Sequence, residues 1–517
     1  MRAALRNPWL VAAAGLGIAL AALYLAGIGS NPPGLYDDEA SIGYNAWTIA
    51  HFGVDQYGNH VPLFFADFGD YKGPVATYLV APLTWIMPSG ATVVRVPSVL
   101  AGIAIFLIAA RLAYVLTGSQ LVALITMALT ALQPWLFLQS HTMLEGNILM
   151  VLCILVACWC LAEAQRSTSN RWWTAAGVAL ALTVYCYSVG RLLAALVALA
   201  AVVAFHRAGR ARMLRLLFPL AAAYVVLGAW ALANPGALFQ RFQNVGLFAD
   251  NPSMLTAVGR FIGNYLSYFS PNFLLLHGDG NYRQTTGFGG VLLDATLPLI
   301  LAGAVRLAMT WRRPWARFVF AGTLLAPVPA ALTLAAPHAL RGAGLLPFLL
   351  LFMIEGTEWL VQALRAKPAL VAALAAVSVA SAAPYFVDFF TVYPARAANA
   401  FEAGEAPALQ RAYAIAQQGD HRLLLSASLN QPAMQLMYAL LAPPPQNPFV
   451  ATARLTVVSN AAQLAGASVG DVIVVGPSDT VPPGARLLFL VRDGQQHDAP
   501  VAPMGNDLLR VYVEGGA

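Results

Sequence analysis

Residues 8–40, PWLVAAAGLGIALAALYLAGIGSNPPGLYDDEA, join an apolar run long enough to cross a bilayer to three consecutive carboxylates, Asp37, Asp38 and Glu39. At the bilayer centre each charge costs roughly 2.5–3.5 kcal/mol on insertion scales, so three together would cost about 8–10 kcal/mol. The trio must therefore lie in water or in a polar cavity at the membrane edge. There it can bind a cation, accept a proton from a sugar hydroxyl, or do both. The alternative is a solvated cap on a helix end.

The composition of the whole chain is typical of a polytopic membrane protein. Hydrophobic residues make up 59% of its 517 positions and charged residues only 10%, against about 25% in soluble proteins. The formal charge of +6 comes from scattered arginines without a basic run between aromatic residues, which argues against a nucleic-acid partner. All four cysteines fall inside apolar runs and are interpreted as small core residues, not as disulfides or metal ligands: Cys153, Cys158, Cys160 and Cys186.

Eleven apolar runs near the ~20 residues of a membrane helix occur before residue 395. They lie at about 8–29, 92–115, 119–138, 146–165, 172–189, 191–206, 214–233, 290–311, 318–336, 342–364 and 369–390. The apolar core of the first run is longer than the ~7–15 residues of a cleaved signal peptide, so this run is predicted to remain as a helix. The sequence thus predicts an α-helical polytopic membrane protein with about 11 transmembrane helices.

Basic residues are unevenly divided between the two ends of these predicted helices. With the N-terminus inside, the cytoplasmic ends hold Arg2, Arg6, Arg111, Arg166, Arg171, Arg207, Arg210, Arg212, Arg215, Arg306, Arg312, Arg313, Arg317, Arg365 and Lys367. The outer ends hold Lys72, Arg95, Arg191, Arg241, Arg260, Arg283 and Arg341. The positive-inside rule therefore predicts a cytoplasmic N-terminus and an outer, periplasmic C-terminal region.

Polar chemistry is concentrated in three outer loops. The first contains the acidic trio, Asp70, Lys72 and Arg95. The second, about 236–289, carries the run HGDGNYR at 277–283, and the third is the short PHALRG at 337–342.

The composition changes after Pro394, which divides the chain into a transmembrane domain, 1–394, and a C-terminal domain, 395–517. Helical patterns at about 403–418 and 432–441 alternate with strand-like runs at 422–429, 471–475, 486–492 and 508–513. This alternation predicts a small α/β domain. It contains no Gly-rich phosphate loop, metal-ligand spacing or nucleophile motif, so a packing or acceptor-presenting role is favoured over an independent enzyme.

Several strings in the transmembrane domain resemble one family. YDDEASIGYNAW at 36–47, GVDQYGNHVPL at 53–63, GDYKGP at 69–74 and RVPS at 95–98 are similar to the first outer loop of bacterial GT-C glycosyltransferases related to protein O-mannosyltransferases and aminoarabinose transferase. The likeness continues in PWLFLQSHTMLEGN at 134–147, YSVGRL at 187–192, SPNFLLLHGDGNYR at 270–283 and PHALRGAGLLP at 337–347. The resemblance covers about residues 8–390 and implies a GT-C-like fold.

The resemblance implies transfer of a sugar, usually with inversion, from a polyprenyl-phosphate donor to a lipid, glycan or protein hydroxyl at the outer face. Asp38 is the predicted general base, since Asp38-Glu39 resembles the Asp-Glu pair of the family. Glu39 would bind acceptor hydroxyls, orient Asp38 or help to hold a cation, whereas Asp37 is predicted to be a solvated neighbour. A divalent cation is the one cofactor left open.

The leaving lipid phosphate requires fixed cations. Lys72 and Arg341 resemble the cationic residues of the family at these sites, with His338, Arg283 and Arg95 as further candidates for the donor phosphate. The alternative for Lys72 and Arg341 is snorkelling to lipid headgroups. Glu145 matches an acidic family position, and Glu145 and Asp70 are predicted acceptor-site or auxiliary residues. For Glu145 a structural hydrogen bond is the alternative.

The chain departs from the family pattern in two places. Ser140-His141 stands where relatives often have arginine, and Lys72-Gly73-Pro74 replaces Lys-Pro-Pro, which predicts a looser backbone at Lys72.

Two other functions fit a membrane protein with these charges. A lipid-linked sugar flippase or transporter would place ionisable groups near the bilayer midplane with internal repeats, and this sequence shows neither pattern. A non-catalytic envelope-assembly subunit would keep the basic phosphate site without needing a carboxylate pair. The sequence therefore favours a membrane glycosyltransferase of the bacterial inner membrane.

Overall fold

The computed structural model describes residues 8–364, 368–444, 455–458, 464 and 466–515. Arg2, Arg6, Arg365 and Lys367 of the predicted topology lie outside these residues. The chain forms two compact units, unit 1 (1–26, 69–75 and 98–389) and unit 2 (27–68, 76–97 and 390–517). Unit 2 thus includes most of the predicted first outer loop in addition to the region after residue 390, whereas the predicted domain boundary followed residue 394.

Six helices in the described residues are long and apolar enough to cross a membrane. They are Pro8–Leu25, Ala91–Thr117, Asn147–Arg166, Gly190–Ala208, Arg210–Ala233 and Ala339–Ala363. The pair Gln120–Ala131 and Pro134–Ser140, bent by 60°, makes a seventh if it is one span. A helix suits a bilayer because it satisfies its backbone hydrogen bonds internally. The protein is therefore a multi-pass membrane protein, and its predicted number of eleven spans is not confirmed by this count.

Other predicted spans correspond to shorter helices. These are Arg171–Cys186, Leu297–Met309, Pro314–Leu325 and Val328–Ala331, while Pro368–Thr391 corresponds to the last predicted span. Further helices are Asp37–Phe52, Pro74–Val80, Ala237–Val245, Met254–Ser267, Tyr393–Ala397, Glu405–Gln418 and Pro432–Leu440.

The C-terminal part of unit 2 contains a mixed sheet. The strands among the described residues are β1 (Phe65–Asp67), β2 (Asp70–Lys72), β3 (Leu423–Ser426), β4 (Leu455–Val458), β5 (Val472–Val475), β6 (Ala485–Arg492), β7 (Gln495–Asp498) and β8 (Asp507–Glu514). The sheet has the order β4-β3-β5-β8-β6-β7. β3 pairs in parallel with β4 and β5, and the other pairs are antiparallel.

This sheet confirms the predicted alternation of helices and strands. Helices Glu405–Gln418 and Pro432–Leu440 lie at the two predicted helical segments, and β3, β5, β6 and β8 lie at the four predicted strands. Leu409, Leu425, Val474 and Val511 are fully buried in one apolar core formed by these elements. β4 and β7 were not predicted. The exposed residues Gln495–Asp498 of β7 give no apolar alternation, since all four side chains are polar.

Candidate functional site

The acidic trio forms the first turn of the helix Asp37–Phe52 in unit 2. The first N–H groups of a helix have no intrahelical acceptor, and the helix dipole is positive at this end. The amide of Tyr36 donates to Glu39 Oε2 at 3.2 Å, and the amide of Asp38 donates to Asp37 Oδ1 at 2.7 Å. Asp37 and Glu39 therefore accept hydrogen bonds from the amides at the start of the helix, and the negative charge of the trio lies at the positive end of the helix dipole.

Glu39 forms a completely buried ion pair with Arg95, also in unit 2. Arg95 Nε donates to Oε1 and Nη2 to Oε2, both at 2.8 Å. The remaining guanidinium hydrogens donate to the carbonyls of Ile28, Pro32 and Gly34 at 3.4, 2.7 and 2.9 Å. All five N–H donors of Arg95 are thus used, because an arginine has no more.

This pair changes two of the predicted roles. Arg95 was predicted to bind the donor phosphate, but its guanidinium is occupied by Glu39 and backbone carbonyls, so the structure corrects that assignment. Both oxygens of Glu39 accept from Arg95, and Oε2 also accepts from Tyr36. Of the three roles predicted for Glu39, orientation of Asp38 through the helix start is the one that this geometry favours.

Asp37 and Asp38 differ in accessibility. The predicted solvated neighbour, Asp37, is only 5% exposed, so that prediction is wrong, whereas Asp38 is half-buried. Asp37 lies near the buried Glu405, whose pKa is raised by burial and then by the negative charges of Glu402 and Asp37. Asp38 is therefore the most accessible carboxylate of the trio.

Unit 1 contains a second group of carboxylates, which an arginine connects. Arg241 pairs through Nη1 with Asp70 Oδ2 and through Nη2 with Glu145 Oε1, the latter at 2.6 Å. Asp70 lies on β2, Glu145 in the turn before the helix Asn147–Arg166, and Arg241 on the helix Ala237–Val245. Glu145 has φ = 56°, a left-handed conformation that is uncommon outside glycine. The structure thus brings together two predicted auxiliary residues and one residue for which no role was predicted.

Arg241 also lines a cavity of about 330 Å³ in unit 1, which we call the arginine groove. Its polar lining includes Arg191, Arg341, Tyr71 and Thr333. Its apolar lining consists of Leu192, Leu238, Phe239, Phe242, Val245, Pro329 and Leu332, among others. Arg341 Nη1 donates to Thr333 Oγ1 at 3.1 Å, and Arg191 Nη2 donates to the carbonyl of Tyr71 at 3.3 Å. The groove can therefore hold a ligand with an apolar part and an anionic part.

Asp279 and Gln284 hold the short loop that carries Arg341. Asp279 Oδ2 accepts from the amide of Ala339 at 2.8 Å, and Gln284 Oε1 accepts from the amide of Leu340 at 3.4 Å. These contacts connect the HGDGNYR run to the beginning of the span Ala339–Ala363. Neither Asp279 nor Gln284 had a predicted role, although Asp279 lies inside the HGDGNYR run of the second predicted outer loop.

His338 is half-buried and neutral. Burial first, and then the nearby positive charges of Arg341, Arg241 and Arg283, lower the pKa of His338 from 6.5 to about 2. Its Nδ1 accepts from the amide of Arg341 at 3.4 Å, and its Nε2 lies 3.1 Å from Gln284 Nε2. His338 was predicted to bind the donor phosphate. Because it carries no charge at neutral pH, its contacts favour a role in positioning Arg341.

Lys72 and Arg283 complete the predicted phosphate ligands. Lys72 is buried on the same face of β2 as Asp70. A Cβ on Gly73 would overlap the carbonyl oxygen of Tyr185, so the glycine permits close packing at this position, and the looser backbone at Lys72 stays a prediction. Arg283 is half-buried, and its Nε donates to Asn281 Oδ1 at 3.4 Å. The phosphate-binding roles of Lys72, Arg283 and Arg341 stay predictions.

No group of three or more His, Cys, Asp or Glu side chains within the described parts of the chain is arranged to hold a metal ion. The divalent cation left open by the sequence stays a prediction.

Comparisons with known proteins agree with this fold. Residues 71–233 match the model of the dolichyl-phosphate-mannose-protein mannosyltransferase family. No curated protein matches the sequence. The crystal structure of ArnT from Cupriavidus metallidurans bound to undecaprenyl phosphate superimposes with a TM-score of 0.55 at 12% identity, over 98% of this chain and 99% of ArnT.

Two further solved structures are similar. The Archaeoglobus fulgidus oligosaccharyltransferase has a TM-score of 0.50 at 12% identity, covering 97% of this chain and 76% of the archaeal protein. The arabinofuranosyltransferase AftD from Mycobacteria has a TM-score of 0.51 at 14% identity, covering 98% of this chain but 40% of AftD. Identities this low show the fold alone. The chain has the GT-C fold, as its resemblance to that family implied.

Proposed function

We propose that this protein is a membrane glycosyltransferase that moves a sugar from a polyprenyl-phosphate carrier to a hydroxyl group of a lipid, glycan or protein acceptor. The observation that carries the proposal is the arginine groove, which combines an apolar lining with three arginines. A polyprenyl phosphate has the same two parts, a hydrocarbon chain and an anionic head. The family match and the fold shared with a transferase that binds undecaprenyl phosphate support the same substrate class.

In the proposed reaction, the acceptor oxygen bonds to the anomeric carbon as the bond from that carbon to the phosphate oxygen breaks. The electron pair leaves with the lipid phosphate, and the acceptor proton passes to a carboxylate. A single displacement of this kind inverts the anomeric carbon. The reaction therefore needs a base for the acceptor and fixed positive charge for the leaving group.

Asp38 is the proposed general base, since it is the most accessible carboxylate of the acidic trio. Glu39 and Arg95 fix the helix start that carries it. For the leaving group we propose Arg341 and Lys72, with Arg241 and Arg191 as additional cations from the arginine groove. Arginine presents a planar fork to phosphate, whereas lysine acts as a point charge. Asp70 and Glu145 would hold Arg241 in position.

The proposed site of this reaction is the outer face of a bacterial inner membrane, with the N-terminus cytoplasmic and the residues after Pro394 periplasmic. The uneven distribution of arginines supports this orientation. Reporter fusions in the 207–215 loop and after Pro394 should report opposite sides of the membrane. Signals from the same side would reject the orientation without affecting the reaction.

The decisive test of the function is an Asp38→Asn variant assayed with a radiolabelled polyprenyl-phosphate sugar. Turnover should fall by about 10² or more while donor binding changes little, because a general base acts in the transition state. Asp493→Asn, which removes an exposed carboxylate of unit 2, is the matched control and should behave like the parent. Near-normal turnover of the Asp38→Asn variant would show that Asp38 is not the general base.

The same assay separates the enzyme from the two alternatives. A parent protein that binds the donor but releases no sugar to any envelope acceptor would be a binding subunit or a transporter. Chelator treatment addresses the cation: activity that survives chelation would indicate proton abstraction without a metal ion.

A further inference from the structure

Unit 1 contains a second cavity, of about 440 Å³, which we call the helix-end cavity. It lies where the helices Ala91–Thr117, Asn147–Arg166 and Leu297–Met309 end and the helix Pro314–Leu325 begins. Glu355 from the span Ala339–Ala363 also lines it. None of its lining residues lines the arginine groove, so the two cavities are distinct.

The lining of the helix-end cavity has an excess of positive charge. Arg166, Arg306 and Arg313 line it against one carboxylate, Glu355. The positive charge of Arg306 is balanced, because its guanidinium pairs with Glu358 at 2.7 Å and with Glu355 at 3.6 Å. Arg166 and Arg313 form no ion pair with any carboxylate of the residues that the structure describes. Both arginines therefore keep an uncompensated charge for an anion, although Arg166 Nη1 also donates to the carbonyl of Val115.

A buried donor at the same cavity supports an anionic ligand. Trp315 lines the cavity, and its indole Nε1 is buried without a hydrogen-bond partner among the described residues. An indole N–H can only donate, and leaving such a group unsatisfied is costly. A phosphate oxygen would satisfy it and the arginines together.

The surroundings indicate that the ligand is a lipid. Met309 and Trp311, next to the cavity-lining residues of the same segment, are exposed apolar side chains. Tyr114, one residue before the lining residue Val115, is also exposed. Aromatic side chains are enriched at membrane interfaces, and basic cavities between membrane helices bind the headgroups of anionic lipids. We propose that the helix-end cavity binds the phosphodiester headgroup of an anionic phospholipid.

The test is native mass spectrometry of the purified full chain titrated with phosphatidylglycerol, with phosphatidylcholine as the zwitterionic comparison. The parent should bind phosphatidylglycerol preferentially. The double variant Arg166→Gln with Arg313→Gln should weaken this binding about 10–30-fold, because it removes two positive charges that each attract the anionic headgroup. The matched control, Arg210→Gln with Arg215→Gln, removes two exposed arginines outside the cavity and should leave binding unchanged.

A second variant keeps the test decisive if the double arginine variant does not fold. Glu355→Gln removes the only carboxylate of the lining and should strengthen phosphatidylglycerol binding severalfold. Unchanged binding in this variant, or equal loss in both arginine pairs, would overturn the proposal. Competition with sn-glycerol 3-phosphate and inorganic phosphate distinguishes the source of the anion: displacement by either at concentrations similar to the lipid would show a site for soluble phosphate and reject the lipid.

Discussion

Two arginine–carboxylate groups in this protein use the same chemistry in opposite surroundings. In unit 2, Glu39 and Arg95 have no exposed surface, and every guanidinium hydrogen has an acceptor. In unit 1, Arg241 joins Asp70 and Glu145 but remains 29% exposed and lines the arginine groove. A buried pair with all its donors used can support a structure but cannot receive a ligand. An arginine that lines a cavity can do both.

The largest expected effect comes from breaking the buried pair. Arg95→Ala should cost about 3–5 kcal/mol of stability, because it leaves the Glu39 carboxylate buried without its partner. The measurement is thermal or denaturant unfolding of the full chain in detergent. Asp498→Asn, which removes an exposed ion pair of unit 2 with Arg411, is the control and should cost at most about 1 kcal/mol. A stable Arg95→Ala protein that has lost donor binding would reverse the assignment and make Arg95 a phosphate ligand.

The next effect concerns the arginine groove. Arg341→Ala should cost about 2–4 kcal/mol in transition-state stabilisation, the range for losing one contact to a developing charge. Arg341→Lys should recover only part of this, since a point charge does not reproduce the arginine fork. Both variants are measured by kcat/KM for the polyprenyl-phosphate sugar, with unfolding as a parallel measurement. If both stayed within about twofold of the parent, less than roughly 0.5 kcal/mol, Arg341 would not be a principal phosphate ligand.

A smaller effect is expected at Glu405, the buried neighbour of Asp37. Its Oε1 has no hydrogen-bond partner among the described residues, and its pKa is raised by burial and by the charges of Glu402 and Asp37. The unfolded state then ionises at lower pH than the folded state, so this contribution to stability is lost as pH rises above about 4.5.

Glu405→Gln should therefore stabilise the protein by about 1–2 kcal/mol at pH 8 and by less at pH 4. Unfolding at the two pH values checks this, with Asp493→Asn as the control. Destabilisation at pH 8 would indicate that the Glu405 charge has a partner.

The smallest effect is expected at His338. Its pKa is lowered to about 2 in the folded protein, so only the unfolded state gains this proton as pH falls below about 6.5, and the His338 contribution to stability decreases from there towards lower pH. Between pH 6.5 and 8 the residue stays neutral in the folded protein. The pH dependence of kcat/KM over that range should therefore have the same shape in the parent and in the His338→Gln variant. An inflection lost in His338→Gln would mean that the imidazole is charged during the reaction.

Most residues of the candidate site could be predicted from the sequence, but their individual roles could not. The predicted outer basic residues included Arg95, Arg191, Arg241 and Arg341. The family resemblance made Arg341 and Arg95 phosphate candidates and gave Arg191 and Arg241 no role, and no local pattern showed which guanidinium pairs with which carboxylate. Arg95 and Glu39 are 56 positions apart, and Arg241 and Asp70 are 171 apart. Asp279 and Gln284 had no recognisable signal for their roles, since each contacts backbone amides of a segment more than 50 residues away.

What the sequence determined by itself was the class of protein and its elements. Apolar runs predict membrane helices because buried charge and unsatisfied backbone are costly in a bilayer. The alternating helices and strands of the C-terminal region could also be predicted from the sequence, since they depend on local side-chain periodicity. Only the tertiary structure decided which arginine is enclosed with a carboxylate and which lines a cavity. Burial and hydrogen-bond partners arise from packing between segments far apart in the chain, and no local pattern records them.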